Sequence, residues 1–147
     1  MIDFVVRVLV AGVVGLIIGL FTTNARRARM FGLVTAAAAL ITITSTEFYK
    51  EVAGPWFSDP GRLSAQIVSA LGFIGTGLIW ISSDKRVRGL SVSASLWLSA
   101  IVGMLIGAGL KHMSTVAVLV VLLIYWSTET IIKWKKVDRQ CTIFVGN

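Results

Sequence analysis

The sequence is poor in the residues that build polar chemistry. Its 147 residues include one cysteine, Cys141, and one histidine, His112. A disulfide framework or a Cys/His zinc site within one chain is thereby excluded, and Cys141 reads as a plain thiol in a reducing compartment. His112 sits in the short stretch LKHMS and reads as a solvated surface residue. Acids are scarce too: seven Asp and Glu stand against 14 Lys and Arg, for a net charge of +7. Most of these acids fall in loops. The sequence has no HExxH, no metal-spaced carboxylate pair and no serine–histidine–acid grouping, so the expectation is a protein that is not an enzyme. The basic balance does not point to nucleic acid, because no basic stripe interleaves with aromatics on a soluble module.

What the chain does have is apolar length. Hydrophobic residues make up 56% of it, where soluble domains hold about 45–50%. They gather into five stretches, residues 2–21, 32–48, 63–81, 90–109 and 114–132. Each is near the ~20 residues that cross a bilayer core, and backbone satisfaction in lipid makes them helices. The start, MIDFVVRVLVAGVVGLIIGLF, lacks a basic n-region and is too long for an h-region, so it reads as the first span rather than a cleaved signal. The predicted fold is an all-α integral membrane bundle of five transmembrane helices over residues 1–132, followed by a short basic tail, 133–147. Within that tail CTIFV could add as an extended strand to a partner.

The connections carry the charge. Arg26, Arg27 and Arg29, then Lys85, Arg86 and Arg88, then Lys133, Lys135, Lys136 and Arg139 place ten basic residues on one side, against Lys50, Arg62 and Lys111 on the other. This alternation predicts an outside N-terminus and a cytoplasmic C-terminus. Tyr49, Trp56 and Phe57 on one side and Trp134 on the other suit interfacial anchoring.

The third stretch holds the most polar chemistry. In SDPGRLSAQIVSALGFIGTGLI, Asp59 is placed to cap a helix and Pro60 suits its first position, so the helix is predicted to begin at Pro60. Arg62, Gln66, Ser69 and Thr76 then share one face. A polar stripe in a span is expected to face other helices or a wet cavity. Asp59, Arg62 and Gln66, with Arg7 from the first span, form the candidate functional cluster. Arg7 could equally pair with Asp3, four residues before it, or snorkel to headgroups. Gly72, Gly75 and Gly77 are read as a close-packing motif. Small residues also recur at i+4 steps in the fourth stretch (Ser91, Ser95, Ser99, Gly103, Gly107) and in the first (Ala11, Gly15, Gly19), and such ridges let membrane helices pack tightly within or between subunits.

These segments resemble the MgtC/SapB family of bacterial inner-membrane proteins. The resemblance runs through RVLVAGVVGLIIGL, the third-stretch motif with Asp59, Arg62, Gln66, Gly72, Phe73, Gly75 and Gly77 in register, and VRGLSVSASLWLSAIVGMLIGAG. It implies a five-helix membrane domain without the cytoplasmic domain of longer members. It further implies a role linked to magnesium limitation, acid stress and survival inside host cells, exercised by binding other membrane machines such as the rotary ATP synthase. The family's aspartate before the third helix corresponds to Asp59. Two positions depart from the pattern. The family has Glu-Arg where this chain has Phe21-Thr22, and Gly-Leu-Arg-Thr where it has Gly32-Leu33-Val34-Thr35. Joint loss of an acid and a base predicts that Phe21 and Val34 lie near each other.

Two functional classes follow. In one, the protein is a membrane regulator that binds partner proteins. In the other, it is a small ion transporter or channel with a polar path along Asp59, Arg62 and Gln66. That path is short of acids, whereas magnesium favours carboxylates and keeps its waters, so the regulator is favoured. The expected partners are membrane lipid, a membrane protein and a further copy of the chain, with no nucleic acid and no cofactor; magnesium would enter only as the transported or sensed ion.

Overall fold

The computed structural model describes residues 2–50, 59 and 61–145, with side chains as far as Thr128. Pro60, Trp56 and Phe57, and the side chains of Trp134 and Cys141, lie outside that set. The described chain is all-α apart from one small hairpin. Helix α1 is Ile2–Thr22, α2 is Ala25–Phe48 and α3 is Arg62–Gly77. Strands β1 (Trp80–Ile81) and β2 (Val87–Arg88) follow, then α4 (Leu90–Gly107) and α5 (Lys111–Val145). Among the described residues, α1, α2, α4 and the Lys111–Thr128 part of α5 are long and apolar enough to cross a membrane.

The packed centre is formed by α1, α2 and α4. Phe31, Ile18, Leu96, Val102, Thr35 and Ser99 are fully enclosed there. In lipid no hydrophobic force pulls helices together, so tight van der Waals contact between small-residue faces has to hold them. Ala11, Gly15 and Gly19 of α1 and Ser99, Gly103 and Gly107 of α4 are buried. A Cβ on Gly19 would meet the Ala28 and Phe31 backbone and side chain at 2.8–3.0 Å, and one on Gly107 would come within 2.8 Å of the Ala39 α-carbon. The upper ends of the α4 ridge pack less: Ser91 is exposed and Ser95 is half-buried. The threonine hydroxyls of α2 donate back to its own carbonyls, Thr35 to Phe31 at 2.8 Å and Thr42 to Ala38 at 2.8 Å, so these polar groups are satisfied within the helix.

Three expectations are corrected. The third span does not run to residue 81. It stops at Gly77, and the apolar residues after it enter the antiparallel hairpin, Trp80 opposite Arg88 and Ile81 opposite Val87. The hairpin hands over to α4 at Gly89, whose φ of +88° belongs to glycine and whose Cβ, if present, would fall on the Leu78 carbonyl. Next, the tail is not extended: the α5 backbone stays helical through CTIFV to Val145. Finally, Gly72 and Gly77 are not packing glycines in this fold, since a Cβ on either would meet nothing within 4 Å. Only Gly75 of that motif approaches a neighbour, with its Cβ position 2.6 Å from the Ser93 hydroxyl.

Candidate functional site

At the end of the bundle where α2 finishes, Asp59 organises the entry to α3. Its Oδ1 accepts the Gly61 N–H at 2.8 Å and its carbonyl accepts the Arg62 N–H at 3.2 Å. The carboxylate holds the turn before the helix rather than capping it: α3 begins at Arg62 and not at Pro60, its N-cap is Gly61, and no side chain caps it. Asp59, Arg62 and Gln66 line one cleft of about 410 Å³, closed on the other side by Ser45, Phe48 and Tyr49 of the α2 end. The structure therefore brings these three predicted residues together. One turn deeper, Ser64 Oγ donates to Thr42 Oγ1 at 3.4 Å, so hydroxyls stitch the seam between α2 and α3 below the cleft. At the far end of α3 a second hydroxyl repeats the device, Ser93 Oγ donating to the Gly75 carbonyl at 3.0 Å.

Arg7 does not belong to this cleft. Its guanidinium sits 2.5 Å from the Asp3 carboxylate and donates to the Gly107 carbonyl at 3.3 Å. It also lies against Gly109, whose Cβ would stand 2.9 Å from the guanidinium carbon, and over the Phe4 ring at 5.9 Å. The reason is geometric. Arg7 is in the first two turns of α1, which lies against the end of α4, whereas Asp59 approaches α2. Arg7 joins α1 to the turn between α4 and α5 and supplies a donor to a helix-end carbonyl that has no partner of its own helix.

The polar stripe of α3 also faces the other way from expectation. Ser64, Ile67, Leu71 and Gly75 form its buried face, with Ile67 and Leu71 against Ala38 and Ala100. Arg62, Gln66, Ser69 and Thr76 lie on the opposite side and are exposed, as is Phe73 at 84%. The signal that could have placed them was the i, i+3, i+7, i+11 run of Ser64, Ile67, Leu71 and Gly75, a helix face whose ends are small enough for close approach. Sequence reasoning missed Ser64, Thr42 and Ser93 as well, because isolated hydroxyls look alike until their partners are known.

Phe21 and Val34 are not neighbours. In the antiparallel α1–α2 pair, Gly19 faces Ala28 and Phe31, and Gly15 faces Phe31 and Thr35. Phe21 therefore lies toward the loop and is exposed, while Val34 sits about 9 Å further along α2, at ~1.5 Å per residue, and packs on the core.

Among the described residues no three His, Cys, Asp or Glu side chains converge. The chemistry offered by the cleft is one carboxylate, one guanidinium, one amide and hydroxyls, at the end of a membrane-spanning bundle.

Comparison with known proteins gives a consistent picture. The model of the MgtC family matches residues 8–134. An uncharacterised protein of Haemophilus influenzae is 29% identical over 146 residues, 94% of this chain and 61% of that protein. Protein MgtC of Brucella abortus is 45% identical over 92 residues, 62% of this chain and 37% of that protein. Protein MgtC of Salmonella typhimurium is 35% identical over 122 residues, 83% of this chain and 51% of that protein. The chain thus spans less than two thirds of the length of each of these relatives. No solved structure matches it.

Proposed function

The chain belongs to the MgtC family, and on that premise we propose that it is a membrane regulatory protein of magnesium and acid-stress adaptation that acts by binding other inner-membrane proteins. The observation that carries this reading is the outward face of α3. Gln66, Ser69 and Thr76 are exposed on the side of α3 away from Ile67 and Leu71, with Gly72 and Gly77 open beside them. Polar side chains in lipid are costly and ordinarily meet protein or water. Small residues on the same face permit a close helix approach. A partner helix laid on this face would satisfy the first requirement and use the second. A transport path would instead want the polar stripe turned into the bundle, where Ile67 and Leu71 stand. The Asp59–Arg62–Gln66 cleft lies at the end of the same face and supplies the charged contact.

The test is photo-crosslinking from membranes of the native host. With a benzophenone residue at Ser69, the expected result is an adduct with a membrane protein; at Leu123, an exposed apolar position of α5, only lipid adducts are expected. Gly72→Leu should weaken the first adduct by crowding the approach. Lipid adducts alone at both positions would overturn the reading, and proteoliposomes that moved magnesium without any partner would replace it with transport.

A further inference from the structure

The hairpin between α3 and α4 has no part in the α3 face or its cleft, and its composition is unlike that of a connecting loop. Ile81 and Val87 are cross-strand partners on one face and are 74% and 60% exposed. Trp80, opposite Arg88, is 50% exposed. Between the strands, Ser82 N–H donates to the Arg86 carbonyl and Lys85 N–H to the Ser82 carbonyl, both at 2.9 Å. That is a three-residue hairpin loop, in which the last position takes a left-handed conformation and glycine is the usual occupant. Here it is Lys85, with φ +58° and no glycine to relieve it. The turn thus holds a cation at its tip against backbone preference. Asp84 lies 3.3 Å from Arg88 and 3.7 Å from Arg86, and among the described residues no carboxylate meets Lys85.

Helix length bears on the position of the hairpin. The 16 residues of α3 end at it and the 18 of α4 start from it. At ~1.5 Å per residue they reach about 24 and 27 Å, short of a ~30 Å hydrocarbon core. A bundle of such helices set across the core would hold the hairpin at the rim of the hydrocarbon rather than out in water; it lies at the same end as the exposed Arg26, Arg27 and Arg29. Tryptophan and apolar side chains are stable in that layer, and cations there are drawn to anionic lipid.

We infer that the hairpin is a lipid-binding surface, with Lys85 and Arg86 at anionic phospholipid headgroups and Ile81 and Val87 seated at the top of the acyl chains. It would tie the α3–α4 connection to the charge of one leaflet.

The test uses the full chain in nanodiscs. Ile81→Cys, made with Cys141→Ser, carries an environment-sensitive fluorophore, and phosphatidylglycerol is titrated into phosphatidylcholine discs. The expected result is a blue shift in emission as the anionic fraction rises, with quenching by lipids spin-labelled near the headgroup. Lys85→Gln should need about fivefold more anionic lipid for the same shift, and the difference should fade in 1 M salt, where charges are screened within about 3 Å. Lys85→Gly keeps the hairpin formed, because it removes the left-handed strain, and should need as much extra anionic lipid as Lys85→Gln does; Lys85→Arg should titrate as the unaltered chain does. Emission characteristic of water in every disc would leave the hairpin free for a soluble protein and overturn the inference. So would identical titrations for Lys85→Gln and the unaltered chain.

Discussion

Gly15 and Thr35 meet without a gap: a Cβ on the glycine would stand 2.6 Å from the Cβ of the threonine. On the opposite side of Thr35 lies Gly103, whose Cβ would come within 3.1 Å of Thr35 Cγ2. The threonine is completely buried, and its hydroxyl is returned to its own helix through the Phe31 carbonyl. One residue of α2 is thereby held between glycines of α1 and α4.

Gly15→Ala should lower the melting temperature in detergent, because overpacking of a filled contact costs ~1–3 kcal/mol. Gly72→Ala should leave it unchanged or raise it, since the position is open and alanine favours helix by up to ~1 kcal/mol. Gly75→Leu should lower it more than Leu78→Ala, because the leucine displaces the Ser93 hydroxyl from the Gly75 carbonyl. Equal melting of Gly15→Ala and Gly72→Ala would contradict the close contact at Thr35.

Arg7 and Gly109 should be energetically coupled. Gly109 has φ +76°, so Gly109→Ala is strained by its backbone and also pushes on the guanidinium. Arg7→Ala removes that collision while leaving the Gly107 carbonyl without its donor, a loss of about 1.5–3 kcal/mol for a charged hydrogen bond. The double variant should be less unstable than the sum of the two. Asp3→Asn should cost under about 1 kcal/mol, as its carboxylate is 61% exposed and exposed pairs contribute little. Strict additivity in the Arg7/Gly109 cycle would show that the guanidinium does not rest where the structure places it.

Asp59 has two separable roles. Asp59→Asn keeps an acceptor for the Gly61 N–H and removes the charge; Asp59→Ala removes both and should cost ~1 kcal/mol as a lost hydrogen bond. If the carboxylate itself is needed, Asp59→Asn and Arg62→Ala should fail to complement growth of a deletion strain at low magnesium while remaining in the membrane at normal abundance. Complementation by Asp59→Asn but not by Asp59→Ala would assign the residue to starting α3 and nothing more.

Phe21 and Val34 should behave independently. Val34→Arg should destabilise severely, because Val34 packs on both parts of the core. Phe21→Glu should be milder at an exposed helix end. A double-mutant cycle read by thermal melting is expected to show no coupling; a rescue of a kcal/mol or more would return the two positions to contact.

Orientation follows from charge. A reporter joined after Asn147 should be cytoplasmic, and a cysteine at Gly54, in the segment between α2 and α3, should react with a reagent that cannot enter cells. Labelling of that cysteine only after the membrane is broken would reverse the bundle.

The number and order of the helices among the described residues could be read from the apolar runs, since lipid leaves the backbone few choices. The ridge Ala11, Gly15, Gly19 was legible for the same reason: spacing of four names a face. The direction of that face is another matter. In α3 both sides carry small or polar residues, so the sequence offers two candidate inner faces. The Ser64–Thr42 and Ser93–Gly75 contacts, with Ile67 and Leu71 packed on Ala38 and Ala100, distinguish them. The end of α3 was hidden because Leu78, Ile79, Trp80 and Ile81 suit a span and a strand equally well, and the hairpin is settled by pairing with Val87 and Arg88 six residues and more beyond. Asp59, Arg62 and Gln66 fell together because they are neighbours in sequence; Arg7, remote in sequence, does not join them, and of its alternatives the pair with Asp3 is the one the structure has.

The clamp on Thr35 also sets how the molecule can move. Backbones locked glycine to side chain from two directions cannot slide without first separating, so α1, α2 and α4 should open together, and their central amides should exchange with solvent hydrogen only by global unfolding. Helix α3 is joined to them by two hydroxyl contacts and a short apolar face, which can break singly. Its amides should exchange earlier, through a partial opening that leaves the other three helices assembled. A ligand or protein gripping α3 would therefore displace it by small shear against the three-helix body, and the energy of that displacement would be set by the Ser64 and Ser93 hydrogen bonds and the Ile67–Leu71 face rather than by the clamp on Thr35.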